Sequence, residues 1–80
     1  MPRLLDLGDG ALTLEFGNRI DPELSAKVMA TRDALADEAL DGVTDVVPTW
    51  RSLTVHFDPL RLDRQVLADC LLRCTDAPIQ

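Results

Sequence analysis

The sequence predicts an α+β fold, a two-layer sandwich in which two helices cover one face of a four-stranded, antiparallel-containing sheet. Three observations lead there. The stretch 43–59, VTDVVPTWRSLTVHFDP, holds two β-type runs joined by a short polar turn. The run 11–16, ALTLEF, alternates apolar and polar residues as a strand buried on one face does. Two further segments, one after Asp21 and one after Asp63, carry apolar residues every three or four positions, the period of a helix with one buried stripe.

In order along the chain, Arg3 to Leu7 is a short apolar run. In the next run Leu12, Leu14 and Phe16 share one face while Thr13 and Glu15 take the other. Gly8-Asp9-Gly10 between them reads as a hairpin or bulged turn, because glycine tolerates positive φ and Asp bonds to nearby backbone. A phosphate cradle would need a helix N-terminus directly after the glycines, and a strand follows instead. Asp21-Pro22-Glu23 then starts a helix, with Asp as N-cap, Pro in the first turn and an acid at the positive end of the dipole. The helix is expected to run to about Leu40. Its buried stripe is Leu24, Val28, Thr31, Leu35 and Ala39, flanked by Ala34, and Lys27, Arg32, Asp33, Asp37 and Glu38 fall largely outside it. Asp41-Gly42 closes it, Gly42 suiting the left-handed position after a helix.

In the hairpin that follows, Pro48 has no N–H to give a ladder, so the first arm ends there or lies at a sheet edge. In the second arm Leu53, Val55 and Phe57 point one way and Ser52, Thr54 and His56 the other, and Asp58-Pro59 closes it. Asp63 caps the second helix, whose stripe is Val66, Leu67, Cys70, Leu71 and Cys74. Residues 75–80, TDAPIQ, read as a turn in which Pro78 blocks further helix. The order β, β, α, β, β, α with both helices on one sheet face is a ferredoxin-like plan. That plan normally ends in a fourth strand beside the first. Here Arg3–Leu7 is expected to occupy that edge, antiparallel to Ala11–Phe16, because a central strand would otherwise be left open.

Length and composition narrow the function classes. Eighty residues make one domain, 46% of them apolar. No apolar run approaches the roughly 18 residues of a membrane span, and the N-terminus, interrupted by Asp6 and Asp9, does not read as a signal peptide. The expected setting is cytoplasmic. A net charge of −6 with Lys27 as the only lysine argues against nucleic-acid binding, which needs a basic footprint.

The chemistry-bearing residues are few. Cys70 and Cys74 lie four apart on a helix and face the same side, but on the apolar stripe they read as small hydrophobes. A zinc site would need two more ligands, and no metal site is expected. A disulfide between them is disfavoured in a reducing cytoplasm. His56 and Asp58 share a strand face as an HxD pair, yet no activated Ser or Cys nucleophile accompanies them and Asp58 is better explained by its Pro turn. No catalytic residue is assigned. The polar face made by Thr13, Glu15, Ser52, Thr54 and His56 either meets water or receives a partner, with Trp50 and Arg51 at the hairpin tip being residue types enriched at contacts. Composition does not separate the two.

The long pattern Gly8-Asp9-x-Ala11, Glu15-Phe16-Gly17 and Pro48-Thr49-x-Arg51-Ser52-Leu53-x-Val55-x-Phe57-Asp58-Pro59, with IDPEL at the first helix, covers nearly the whole chain. It resembles the N-terminal domain of the bacterial family that joins KipI, the PxpB component of 5-oxoprolinase and allophanate hydrolase subunit 1. The resemblance implies a ferredoxin-like domain over residues 1–80 that in the family precedes a cyclophilin-like β-barrel domain, absent from these residues. It implies that the full PxpB-type protein pairs with a C subunit, and in the oxoprolinase an A subunit, to convert 5-oxoproline to glutamate with ATP. ATP is then used by the full complex, and no cofactor is expected in this domain. Related carboxyltransferase domains occur in urea amidolyase, and another member inhibits autophosphorylation of a sensor histidine kinase. Asp9, Arg51 and Ser52 carry over as motif positions and as candidate binding residues. Trp50, His56, Thr54, Glu15 and Thr13 are the candidate interface, toward the missing second domain, another component of the complex, a kinase or a second copy of the chain.

Overall fold

A computed structural model of the protein describes residues 2–17 and 21–76. Its strands are β1 (Arg3–Asp6), β2 (Ala11–Glu15), β3 (Val43–Pro48) and β4 (Ser52–Phe57), and its helices α1 (Pro22–Glu38) and α2 (Arg64–Cys74). The sheet runs β1-β2-β4-β3 with every neighbour antiparallel. This is the ferredoxin-like sandwich, with the N-terminal hairpin strand β1 at the edge expected of it: Arg3 faces Glu15 and Asp6 faces Leu12. Pro48 ends β3, an edge strand, where its missing N–H leaves no internal ladder bond unmade.

Alternation decides which side each strand buries. Leu12, Leu14, Leu53 and Val55 are fully buried and Phe57 nearly so, all on the face the helices cover. Each such side chain contributes about 1.5–3 kcal/mol relative to exposure. From α1 come Val28, Thr31 and Leu35. The Thr31 hydroxyl, buried with them, is satisfied by donating to the Lys27 carbonyl at 2.8 Å. From α2 come Leu67, Ala68, Cys70, Leu71 and Cys74. Both helices start on the expected caps: Asp21 Oδ1 accepts from the Glu23 N–H at 2.9 Å, and Asp63 Oδ2 accepts from the N–H of Gln65 and Val66 at 3.1 and 3.4 Å.

Four details differ from the sequence reading. Helix α1 stops at Glu38, and the left-handed residue after it is Ala39 (φ 50) rather than Gly42. The early turn lets Leu40 pack against the core, which the helix would have carried past it. Gly42 (φ 105) instead leads into β3, where a Cβ would sit 2.6 Å from Leu62 Cβ. Ala39 is accordingly exposed, outside the stripe assigned to it. Val66, in the first turn of α2, is 51% exposed, and Ala68 takes the buried place. Leu7 and Phe16 fall just outside their strands. Leu7 is exposed, whereas Phe16 packs against the core and its N–H reaches the Arg51 carbonyl at 2.8 Å. Helix α2 ends at Cys74, and Pro78, read as its stop, lies outside the described residues.

Candidate functional site

The helix-free face of the sheet is laid out in rows by the strand register. One row runs Arg3, Glu15, Ser52; the next Leu5, Thr13, Thr54, Val47; the third Ala11, His56, Asp45. In the first row the Arg3 guanidinium donates to Glu15 Oε1 at 2.9 Å. In the second the hydroxyls of Thr13 and Thr54 lie 2.8 Å apart and bond to each other across the two central strands. In the third, His56 stands exposed beside Asp45.

The first row continues into the tip of the β3–β4 hairpin, and Thr49 organises that tip. Its Oγ1 accepts from the N–H groups of Ser52 and Arg51 at 3.0 and 3.3 Å and bonds the Ser52 hydroxyl at 2.7 Å, while its own N–H donates to the Ser52 carbonyl at 2.8 Å. The Arg51 carbonyl is held from the other side by the Phe16 N–H. The backbone of Arg51 is thus held by the residues that directly follow β2 and β3. Among the described residues its guanidinium has no ion-pair or hydrogen-bond partner, whereas Arg3, Arg32, Arg61, Arg64 and Arg73 are each paired with a carboxylate. An open groove of about 470 Å³ lies here, lined by Glu15, Thr49, Trp50, Arg51 and Ser52. Trp50, 63% exposed, separates it from a second, shallower groove bordered by Ser25, Met29 and Pro48. An unpaired guanidinium beside a hydroxyl is suited to a carboxylate or another planar anion, which it can grip with two parallel hydrogen bonds.

The structure therefore brings Arg51, Ser52, Trp50 and Glu15 together, with Thr13 and Thr54 in the adjoining row. Asp9 is elsewhere. It sits exposed in the β1–β2 turn at the opposite end of β2 from Glu15, and the length of that strand alone is about 13 Å. His56 is at that far end too. Asp58 turns away from it: Asp58 Oδ1 accepts from the Leu60 N–H at 3.0 Å and its carbonyl from Arg61 and Leu62, the work of the Pro turn. Thr49 was not singled out as a site residue in the sequence, although a Thr three residues before a Ser in a hairpin tip is a pattern for such side-chain to backbone bonding.

On the other side of the sheet, Cys70 and Cys74 are buried in the core, as their stripe position implies. Burial pushes both thiols up, Cys74 from 9.0 to about 12, so both are protonated at neutral pH. Glu38, from the last turn of α1, comes within 3.7 Å of Cys70 Sγ. Ligand atoms of Glu38, Cys70 and Cys74 all lie within 4.8 Å of one another.

Among the described residues no helix is long and apolar enough to cross a membrane. Residues 2–80 match the family described as carboxyltransferase domain, subdomain C and D. No curated protein matches the chain significantly. Among solved structures, the chain is similar to the conserved protein PH0987 of Pyrococcus horikoshii, with 27% identity and a TM-score of 0.83 over 91% of this chain and 34% of that one. It is also similar to the urea carboxylase of Kluyveromyces lactis (19% identity, TM-score 0.88, 99% of this chain and 7% of that one). A third likeness is to the N-terminal domain of the histidine kinase inhibitor KipI from Bacillus subtilis (22% identity, TM-score 0.68, 95% of this chain and 81% of that one). The chain thus spans about a third of PH0987 and a small part of the urea carboxylase.

Proposed function

The chain belongs to the family of carboxyltransferase domain, subdomain C and D, and from that premise we propose that it is the N-terminal lobe of a protein like the PxpB component of 5-oxoprolinase. In this reading the lobe works within a larger protein carrying a cyclophilin-like domain, paired with a C subunit and an A subunit, and the complex opens 5-oxoproline to glutamate with ATP bound elsewhere in the assembly. The lobe is a docking element with one chemical contribution. Arg51 offers its guanidinium to a carboxylate, such as that of 5-oxoproline, and Ser52 adds a hydroxyl beside it. The observation that carries this is the Arg51 side chain itself, without a partner among the described residues on a backbone held by Thr49 and Phe16. Organising a rigid tip around an unpaired cation makes sense where an anion arrives from outside the lobe.

The test is ATP-dependent glutamate formation by the full-length protein purified with its C and A partners. Arg51→Ala is expected to raise KM for 5-oxoproline, or lower turnover, by at least about tenfold, the loss of a charged hydrogen-bonded contact. Unchanged kinetics would remove Arg51 from the site. A second reading, inhibition of a sensor histidine kinase, rests on the exposed Trp50 flanked by the 38% exposed Met29, an aromatic and thioether pair of the kind enriched at protein contacts. Autophosphorylation of a kinase encoded beside this protein, assayed with and without the chain, separates the two readings.

A further inference from the structure

We propose that Glu38, Cys70 and Cys74 form a binding site for a thiophilic divalent cation of the zinc class, at the seam where the C-terminal ends of α1 and α2 meet. Cys70 and Cys74 are one turn apart on α2 and present their sulfurs to the same side. The third donor comes from a different helix: Glu38 Oε1 lies 3.7 Å from Cys70 Sγ, and the three donor atoms fall within 4.8 Å of one another. A tetrahedral zinc ion with bonds of about 2.0 Å to oxygen and 2.3 Å to sulfur holds its donor atoms roughly 3.5–3.8 Å apart, so a small side-chain adjustment completes the set.

The surroundings fit an ion as well as the donors do. Cys70 and Cys74 are buried among apolar side chains on their inner side, which shields metal–sulfur bonds from water. On the outer side an open cleft of about 290 Å³ leads in past Glu38, Arg73 and Asp76 to Cys74, providing an entry path and room for a water as the fourth ligand. Charge closes too. Binding M²⁺ forms two metal–sulfur bonds and one metal–oxygen bond and releases one proton from each thiol to solvent. The ion with two thiolates and a carboxylate carries −1, and Arg73, whose Nη2 lies 3.7 Å from Glu38 Oε1, supplies the balancing positive charge. No electron is transferred. The site lies on the helical side of the sheet, so it stands independently of any role for Arg51.

The probe is Cd²⁺ added to the reduced 80-residue chain, read by thiolate-to-cadmium charge-transfer absorption in the ultraviolet. Expected are saturation at one ion per chain, release of two protons per ion, and displacement by Cd²⁺ of Zn²⁺ bound beforehand. Glu38→Gln changes an exposed residue at a helix end and keeps the fold. It is expected to weaken Cd²⁺ binding at least about tenfold, the loss typical even of groups that only support a ligand. Cys70→Ser, its folding verified by circular dichroism, is expected to release only one proton per ion. Absence of charge-transfer absorption in the folded chain, its appearance only after denaturant opens the core, or a Cd²⁺ affinity untouched by Glu38→Gln would each overturn the proposal.

Discussion

Thr13 and Thr54 join the two central strands through their side chains: the hydroxyls are 2.8 Å apart on the helix-free face, directly opposite each other in the register. Both are half-buried, so neither hydroxyl is freely replaced by water. Thr54→Val is expected to lower stability by about 0.5–1.5 kcal/mol, because it leaves the Thr13 hydroxyl without its partner. Adding Thr13→Val should restore part of that loss, since two facing valines pack well across strands. A double-mutant cycle in urea measures it. Additive losses would mean the bond contributes nothing.

The turn after α1 uses its backbone conformations in an unusual order. Ala39 holds the left-handed position at φ 50, where a Cβ is a burden. Ala39→Gly is therefore expected to stabilise the chain, by up to about 1 kcal/mol once the greater freedom of glycine in the unfolded state is offset. Gly42→Ala should do the reverse and cost at least about 2 kcal/mol, since it combines φ 105 with a Cβ driven against Leu62. Thermal melts of the two variants should move in opposite directions.

Alkaline pH is expected to destabilise the fold through Cys74. In the unfolded chain its thiol titrates near 9.0, in the folded chain near 12, because burial disfavours the thiolate and the neighbouring Cys70 adds to the effect. Between those values the unfolded state gives up the proton and the folded state keeps it. The contribution is thus intact below pH 9 and declines as pH rises toward 12. Cys74→Ala, which has no group to titrate, should show a shallower fall in urea midpoint with pH than the unaltered chain, both measured with chelator and reductant present. Parallel slopes would refute it.

Trp50 is the chain's one tryptophan and is largely exposed. Its fluorescence should be strongly quenched by acrylamide in the isolated chain. If the proposed function holds and the hairpin tip is a docking point, quenching should fall and emission shift to the blue once the chain is part of the proposed assembly with C and A components. Equal quenching in both would place the docking surface elsewhere.

The elements themselves were legible in the sequence, because a strand or helix that buries one face must repeat apolar residues at its own period. Leu53, Val55 and Phe57, the caps at Asp21 and Asp63, and the Pro48 edge all announce themselves over a few neighbouring residues. Even the place of β1 followed from a local argument, since β2 could not be left with an open edge. What periodicity cannot report is which side chains meet when elements pack. Val66 is exposed although its spacing put it on the stripe, while Leu67 and Ala68 beside it are buried. Glu38 is 32 residues from Cys70 and meets it only because the C-terminal part of α1 packs against α2. Asp9 and Arg51 belong to one sequence pattern yet stand at opposite ends of β2. That Arg51 stays unpaired while the other described arginines find carboxylates depends on every one of those partners being placed first. The backbone's local preferences and the water-avoiding face of each segment decide secondary structure. The meeting of charges, thiols and grooves is decided by tertiary packing, because those distances are set across elements and not along them.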